Sequence, residues 1–409
     1  MIGETKFVSV VRRLAPSALI FLSGVGALYV ADLTIAASAN DEAIALWATL
    51  KSFMMIASTF ALFGINQLLV REPKAMRLLT RVGGANILVV SLVLGIIGAY
   101  FDLVPSILVG IVAIAGFSFS NLAFQWLRSN LQVTAAYLAN GSWRVLFLLG
   151  ILVFFINDNV DIGMILTGSF VISGLIIVGL IVQNPAKKNL VSLHDDIRSV
   201  KDIYLIGSSY FLAAISLSIA TYGENLVVHQ IGTTADVAQY FRASVVFLFP
   251  GMILNQYLTA VFGLAVRQEE SRVLKNLRRY LWKGLAGLLL MWPVLIAGGY
   301  VLEMLVYGEI STSIMLATLL SMASCLRLLY VLPGSFIGVI ANRRTLLKAS
   351  IIYLICAFSL PLLSLLFHSL GMATVISVAL ASLISWTLRC AVGAGLVYQR
   401  LVTVTLENK

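Results

Sequence analysis

The chain has 409 residues, 60% of them hydrophobic and only 11% charged, with a mean hydropathy of +0.98. A soluble globular domain is nearer a quarter charged, so this composition excludes one and demands many membrane spans. The formal charge of +10, from 28 Lys and Arg against 18 Asp and Glu, would suggest nucleic acid in a soluble protein, but its distribution along the chain points elsewhere.

Apolar stretches able to cross a bilayer, each about 17–25 residues or longer when tilted, are predicted at 14–38, 43–70, 82–100, 103–127, 133–156, 161–182, 203–231, 236–265, 281–303, 312–341, 346–367 and 372–398. The first follows Arg12 and Arg13 and runs into Ala37-Ser38-Ala39, an AxA-like cleavage pattern. It is too long for the apolar core of a signal peptide, about 7–15 residues, and reads as an uncleaved span. The second holds Lys51 alone in an otherwise uncharged run from Ala43 to Val70. The runs are continuous rather than alternating, which excludes a β-barrel. The expected fold is an all-α polytopic membrane protein of about twelve helices.

Basic residues fall on alternate connections. Arg71, Lys74, Arg77 and Arg81 share a side with Arg128, Arg144, Lys187, Lys188, Arg198 and Lys201, then with the set from Arg267 to Lys283 and with Arg343, Arg344 and Lys348. The other connections, "SANDE", "YFDLVP", "NDNVD", "QIGTTAD", "VYGEIST" and "HSLGM", hold no Lys or Arg. The positive-inside rule then predicts both termini in the cytoplasm, and it assigns the basic excess to topology and lipid headgroups. The polar link at 182–202 divides the chain into two six-helix lobes, 1–190 and 191–409. An even number of spans per lobe allows parallel repeats about an axis along the membrane normal. The lobes echo each other: Lys51 follows Asp32 by 19 residues, and Arg242 follows Glu224 by 18.

Four basic residues remain inside spans: Lys51, Arg242, Arg327 and Arg389. The acids there are Asp32 and Glu224, with Glu303 at a helix end. A charge at a helix centre costs roughly 2.5–3.5 kcal/mol on insertion scales, offset by pairing, snorkelling or a wet cavity. Lys51 and Arg242 could snorkel, or pair as Lys51 with Asp32 and Arg242 with Glu224. Arg327 and Arg389 could tie helices together through backbone carbonyls. The alternative is a cationic cavity between the lobes that favours an anion such as a phosphate or diphosphate. An exporter of cationic drugs should show the opposite imbalance. Ser118, Ser120, Asn121 and Gln125 could line that cavity or bond between helices. Prolines 250, 293, 333 and 361 lie inside spans of the second lobe, where kinks could serve motion. Cys325, Cys356 and Cys390 lack CxxC spacing, the three histidines are scattered and no phosphate loop occurs, so no metal, cofactor or intrinsic ATPase is expected.

The stretches "LFGINQLLVRE", "YFRASVVFLFPGMILNQYLTAVF", "LEMLVYGE" and "LPGSFIGVIANRRTLLKAS" resemble Wzx-type polysaccharide (O-antigen) flippases of the multidrug/oligosaccharidyl-lipid/polysaccharide (MOP) exporter superfamily. The resemblance spans the whole chain. It implies a MATE-like bacterial inner-membrane protein that flips an undecaprenyl-diphosphate-linked oligosaccharide, an O-antigen or exopolysaccharide unit, to the periplasmic leaflet by alternating access. Its partners would be that lipid-linked substrate, membrane lipids and the membrane proteins of polysaccharide assembly. Lys51 and Arg242 then become diphosphate or acidic-sugar contacts. Lipid II flippases of the superfamily have two further helices that this chain lacks. With no ATPase motif, a proton or sodium gradient is the expected energy source, with Asp32 and Glu224 as coupling carboxylates or as counter-ions. A multidrug antiporter is the competing transporter. A glycan polymerase or ligase needs a large outer loop, whereas the outer connections here have only about five to ten residues, so no enzyme activity is expected.

Overall fold

The computed structural model describes residues 4–38, 40–154, 161–184, 197, 199–255, 258–259, 270–340 and 343–407. The expected link at 182–202, the connection at 157–161 and the exit of the eighth span fall largely outside them. The described elements are all helical. Lipid offers backbone groups no partner, so each apolar segment satisfies its own N–H and C=O groups by coiling.

In chain order these are α1 (Glu4–Ser38), α2 (Asp41–Leu62), α3 (Ile65–Arg71), a 3-10 turn (Pro73–Ala75), α4 (Met76–Tyr100), α5 (Ile107–Ser129), α6 (Val133–Phe154), α7 (Ile162–Gln183), α8 (Val200–Ile231), α9 (Thr234–Phe247), α10 (Phe249–Asn255), α11 (Glu270–Tyr307), α12 (Ile314–Ile340), α13 (Arg343–Ser369) and α14 (Thr374–Glu407). Among the described residues, eleven helices are long and apolar enough to cross a membrane, and α9 with α10 makes a twelfth if that bent pair is one span.

Local chemistry sets where helices begin. Ser106 accepts the amide of Val109 at 3.3 Å to start α5, and Asp161 accepts that of Gly163 at 2.8 Å to start α7. Thr233 and Asp236 form a reciprocal capping box that fixes the start of α9.

Two spans are broken, for different reasons. Between α2 and α3, Phe63 and Gly64 take φ of 43° and 74°. A Cβ on Gly64 would sit 2.5 Å from the Gly207 carbonyl oxygen, so the left-handed turn and the close approach to α8 both require glycine. Phe63 stacks on Phe211 of α8 at 4.6 Å, and Arg71 donates to Tyr210 at 2.6 Å. Between α9 and α10 the chain bends by 50° at Leu248. Pro250 lies just beyond, and it lacks the N–H that would have bonded back to Val246. Pro293, Pro333 and Pro361 lie inside continuous helices.

The helices form two compact units: Met1–Ser38 with Phe53–Phe211, and Ala39–Ser52 with Leu212–Lys409. Both α2 and α8 therefore contribute to each unit. In the first unit α1 lies on α6, where a Cβ on Gly24 would come within 3.0 Å of the Gly141 Cα. Trp143 stacks on Phe170 at 4.9 Å and meets the edge of Phe117 at 5.8 Å. Arg144, which the charge pattern assigns to a connection, sits well inside α6 with its guanidinium 5.6 Å from the Trp143 ring. In the second unit α14 packs against α12 and α13, and α11 lies along α12.

Candidate functional site

Helical spacing brings the polar residues of the second unit together. On α14, Ser382, Trp386 and Arg389 recur at intervals of four and three, which places them on one face. On α8, Ser216, Ala220 and Glu224 recur every four residues, and on α12 Arg327 and Tyr330 are three apart. The two long faces meet where Trp386 donates its indole N–H to the Ala220 carbonyl at 3.1 Å.

Glu224 is the hub at one end. One carboxylate oxygen accepts from the Arg327 guanidinium and from the Ser382 hydroxyl, and the other accepts from the Tyr240 hydroxyl at 3.0 Å. Both ion-pair partners are buried. Arg327 also donates to the Met252 sulfur at 3.2 Å and lies 5.0 Å from the Trp386 ring. In a low-dielectric site the pair recovers much of what desolvation takes away, and its extra hydrogen bonds leave few of its polar atoms without a partner.

Arg389 is held differently. It is only 2% exposed and has no carboxylate partner among the described residues. Its two terminal nitrogens donate to the Ser216 carbonyl and hydroxyl, both at 3.3 Å, while Nε has no partner. Three rings surround it: Tyr353 at 4.5 Å, Tyr330 at 4.7 Å and Trp386 at 5.8 Å. A desolvated cation over a ring gains roughly 2 kcal/mol or more, so this cage replaces a counter-ion.

Lys51 belongs to the same unit and is also buried. Its ammonium lies 4.6 Å from the Phe249 ring, 5.9 Å from Trp47 and 6.0 Å from Phe241. Next to it, Ser52 accepts the side-chain amide of Asn225 at 3.0 Å, and the Asn225 carbonyl oxygen is buried without a partner.

Arg242 lies apart from these groups. It is about a third exposed and pairs with Asp41 at 2.9 Å, not with Glu224. Positions 240 and 242 are some 200° apart around a helix, so when Tyr240 faces Glu224, Arg242 must face away. Asp32 is buried in the first unit, one turn along α1 from Tyr29. Glu303 is fully buried and accepts from Ser311 and Thr312 just before α12, its second oxygen unpartnered. Sequence reading missed the cage residues Tyr330, Tyr353 and Trp386, although the spacing of Trp386 and Arg389 on one helix face was available.

No family model matches this chain, and no curated protein matches it. Solved structures do. An inward-facing multidrug resistance MATE transporter of the MOP superfamily matches with a TM-score of 0.61 at 19% identity, over 95% of this chain and 99% of that one. The MATE multidrug transporter DinF-BH, solved in complex with a ligand, matches with a TM-score of 0.63 at 17% identity, over 96% and 95%. A MOP superfamily transporter from Pyrococcus furiosus, described as having a binding pocket of reverse polarity, matches with a TM-score of 0.57 at 17% identity, over 96% of each chain. The chain thus has the all-α, multi-pass fold of MATE transporters of the MOP superfamily.

Proposed function

We propose that the chain is a secondary transporter that carries an organic substrate across the membrane by alternating access, as a MATE-like exporter. The end-to-end match to MATE multidrug transporters carries this reading, since the shared fold extends over nearly the full length of each chain. Asp32 and Glu224 are the carboxylates we propose for coupling to a proton or sodium gradient, with Glu224 also engaged as the counter-ion of Arg327.

A second reading is favoured by charge. Lys51 and Arg389, buried among aromatic rings, suit an anionic cargo better than a lipophilic cation, whereas Arg327 is already matched by Glu224. That supports a flippase for an undecaprenyl-diphosphate-linked oligosaccharide in a bacterial inner membrane, working with polysaccharide-assembly proteins. The Pyrococcus furiosus neighbour, whose reverse-polarity binding pocket is described as suggesting a different function, is a precedent for a change of pocket polarity on this fold.

One experiment separates the two. Cells lacking the chain are assayed for accumulation of a lipophilic cationic dye and for lipid-linked oligosaccharide held on the cytoplasmic leaflet. They are then complemented with wild type or with Lys51→Ala at matched protein levels. Dye accumulation reversed by wild type supports the multidrug exporter. Oligosaccharide retention reversed by wild type but not by Lys51→Ala supports the flippase and its cationic site. No change in either assay overturns both.

A further inference from the structure

The bend between α9 and α10 and the Glu224–Arg327 ion pair are parts of one arrangement. Glu224 holds the segment before the bend, because Tyr240 of α9 donates to it. Arg327 holds the segment after the bend at two points. Its guanidinium donates to Met252, and its backbone carbonyl accepts the side-chain amide of Asn255. The bend itself is touched from the same helix: Ser324, one turn before Arg327, donates to the Leu248 carbonyl at 3.3 Å. Gly251 lets α10 lie this close to α12, since any Cβ there would overlap the Ser324 side chain. A proline break explains why the helix can bend at this point, but it does not fix the angle. Contacts to α8 and α12 on both sides of Leu248 do.

We infer that the Glu224–Arg327 pair is a latch on the bend of the eighth span. While the pair is closed, Tyr240 on one side and Met252 on the other are tied to the same two charges. An ion that claims either charge opens the pair, loosens the guanidinium from Met252, leaves α10 held to α12 by Asn255 and Ser324 and lets the angle at Leu248 change. The groups facing the pair are Tyr240 from α9, Met252 from α10, Trp386 and Ser382 from α14. None of these four is a second carboxylate or a second cation that could replace a lost partner.

The test needs no substrate, so it stands apart from the question of cargo. Backbone hydrogen exchange is followed by mass spectrometry on the purified full chain in lipid nanodiscs. In Arg327→Lys, which keeps a charge for Glu224 but has no second arm for Met252, residues 248–255 should exchange faster than in wild type. In Glu224→Leu/Arg327→Met, which removes both charges and leaves none unpaired, the same residues should exchange about tenfold faster or more, with α5 to α7 unchanged. Asn255→Ala, which keeps the ion pair, should give a smaller rise. Wild-type exchange over 248–255 in the double variant overturns the latch, and packing of Gly251 on Ser324 then sets the angle alone. A rise spread evenly over all helices of the second unit also overturns it, because the pair would then be general glue.

Discussion

The two units are built from similar helices and both pack rings on rings and rings on cations, but among the described residues only the second buries the cations that its rings meet. In the first, Trp143 packs on Phe170 and Phe117 and Phe63 on Phe211, and the cations that meet rings there, Arg71 and Arg144, are only partly buried. In the second, rings that also touch one another enclose buried cations: Tyr330, Tyr353 and Trp386 around Arg389, Phe249 near Lys51. The buried charged residues follow the same division. Among the described residues they are Asp32 and Glu72 in the first unit, and Lys51, Glu224, Glu303, Arg327 and Arg389 in the second. One core is therefore specified by shape and dispersion, the other by the placement of charge. A volume-conserving exchange should be tolerated in the first and punished in the second wherever it leaves a charge alone.

The largest effect follows from that contrast. Glu224→Gln keeps size and shape but leaves Arg327 buried without a counter-ion, and breaking a buried pair in this way costs about 3–5 kcal/mol. Thermal unfolding in detergent should show the loss. An unfolding temperature equal to wild type would mean that the second unit does not rest on its ion pair. Gly64→Ala comes next, at about 1–3 kcal/mol, because it forces a positive φ on alanine and drives a methyl group against the Gly207 carbonyl. Phe147→Met is the matching exchange in the first unit. Phe147 is fully buried, but methionine refills most of the space, so the expected cost is below about 1.5 kcal/mol. A loss as large as that of Glu224→Gln would erase the distinction between the cores.

Arg389→Met sharpens the comparison from the other direction. Burying a guanidinium without a carboxylate costs several kcal/mol, and three cation–π contacts offset that by an amount of the same order. The two terms nearly cancel, so the variant should unfold within about 1 kcal/mol of wild type. Transport of an anionic cargo should nonetheless fall, which would separate a functional arginine from a structural one. A large loss of stability with transport intact in the surviving protein would make the cage structural.

How much of this was legible beforehand depended on the length scale. Continuous apolar runs predicted the helices well, because lipid leaves the backbone no other choice. The bend was less legible. Pro250 was visible, but so were Pro293, Pro333 and Pro361, which sit in unbroken helices, and the contacts that α8 and α12 make on either side of Leu248 distinguish the first. The grouping of residues 39–52 with the second unit was not legible at all, since α2 is one continuous helix with no change of composition at residue 52. The partner of Glu224 was not legible for a related reason. Arg242 is near in sequence, whereas Arg327 lies 103 residues away on another helix. Separation along the chain does not say which face of a helix a residue occupies. Trp386 and Arg389 could have been placed on one face from their spacing, but the Tyr353 wall of the cage comes from α13 and needs the packing of α13 on α14.

The smallest effect concerns Arg242, a residue that the family resemblance singled out. Arg242 and Asp41 are about one third and one half exposed, and pairs of this kind are screened by solvent and salt. Asp41→Asn should therefore change the unfolding temperature hardly at all, corresponding to well under about 1 kcal/mol. Its effect, if the pair matters, should appear in transport and weaken as ionic strength rises, because Arg242 released from Asp41 becomes a more available cation for an anionic cargo. Arg242→Ala should then reduce that transport while Asp41→Asn preserves or raises it. Equal loss in both variants would make the ion pair itself, and not the cation, the feature that counts, and would leave Lys51, Arg327 and Arg389 as the cationic residues to which cargo selectivity must be assigned.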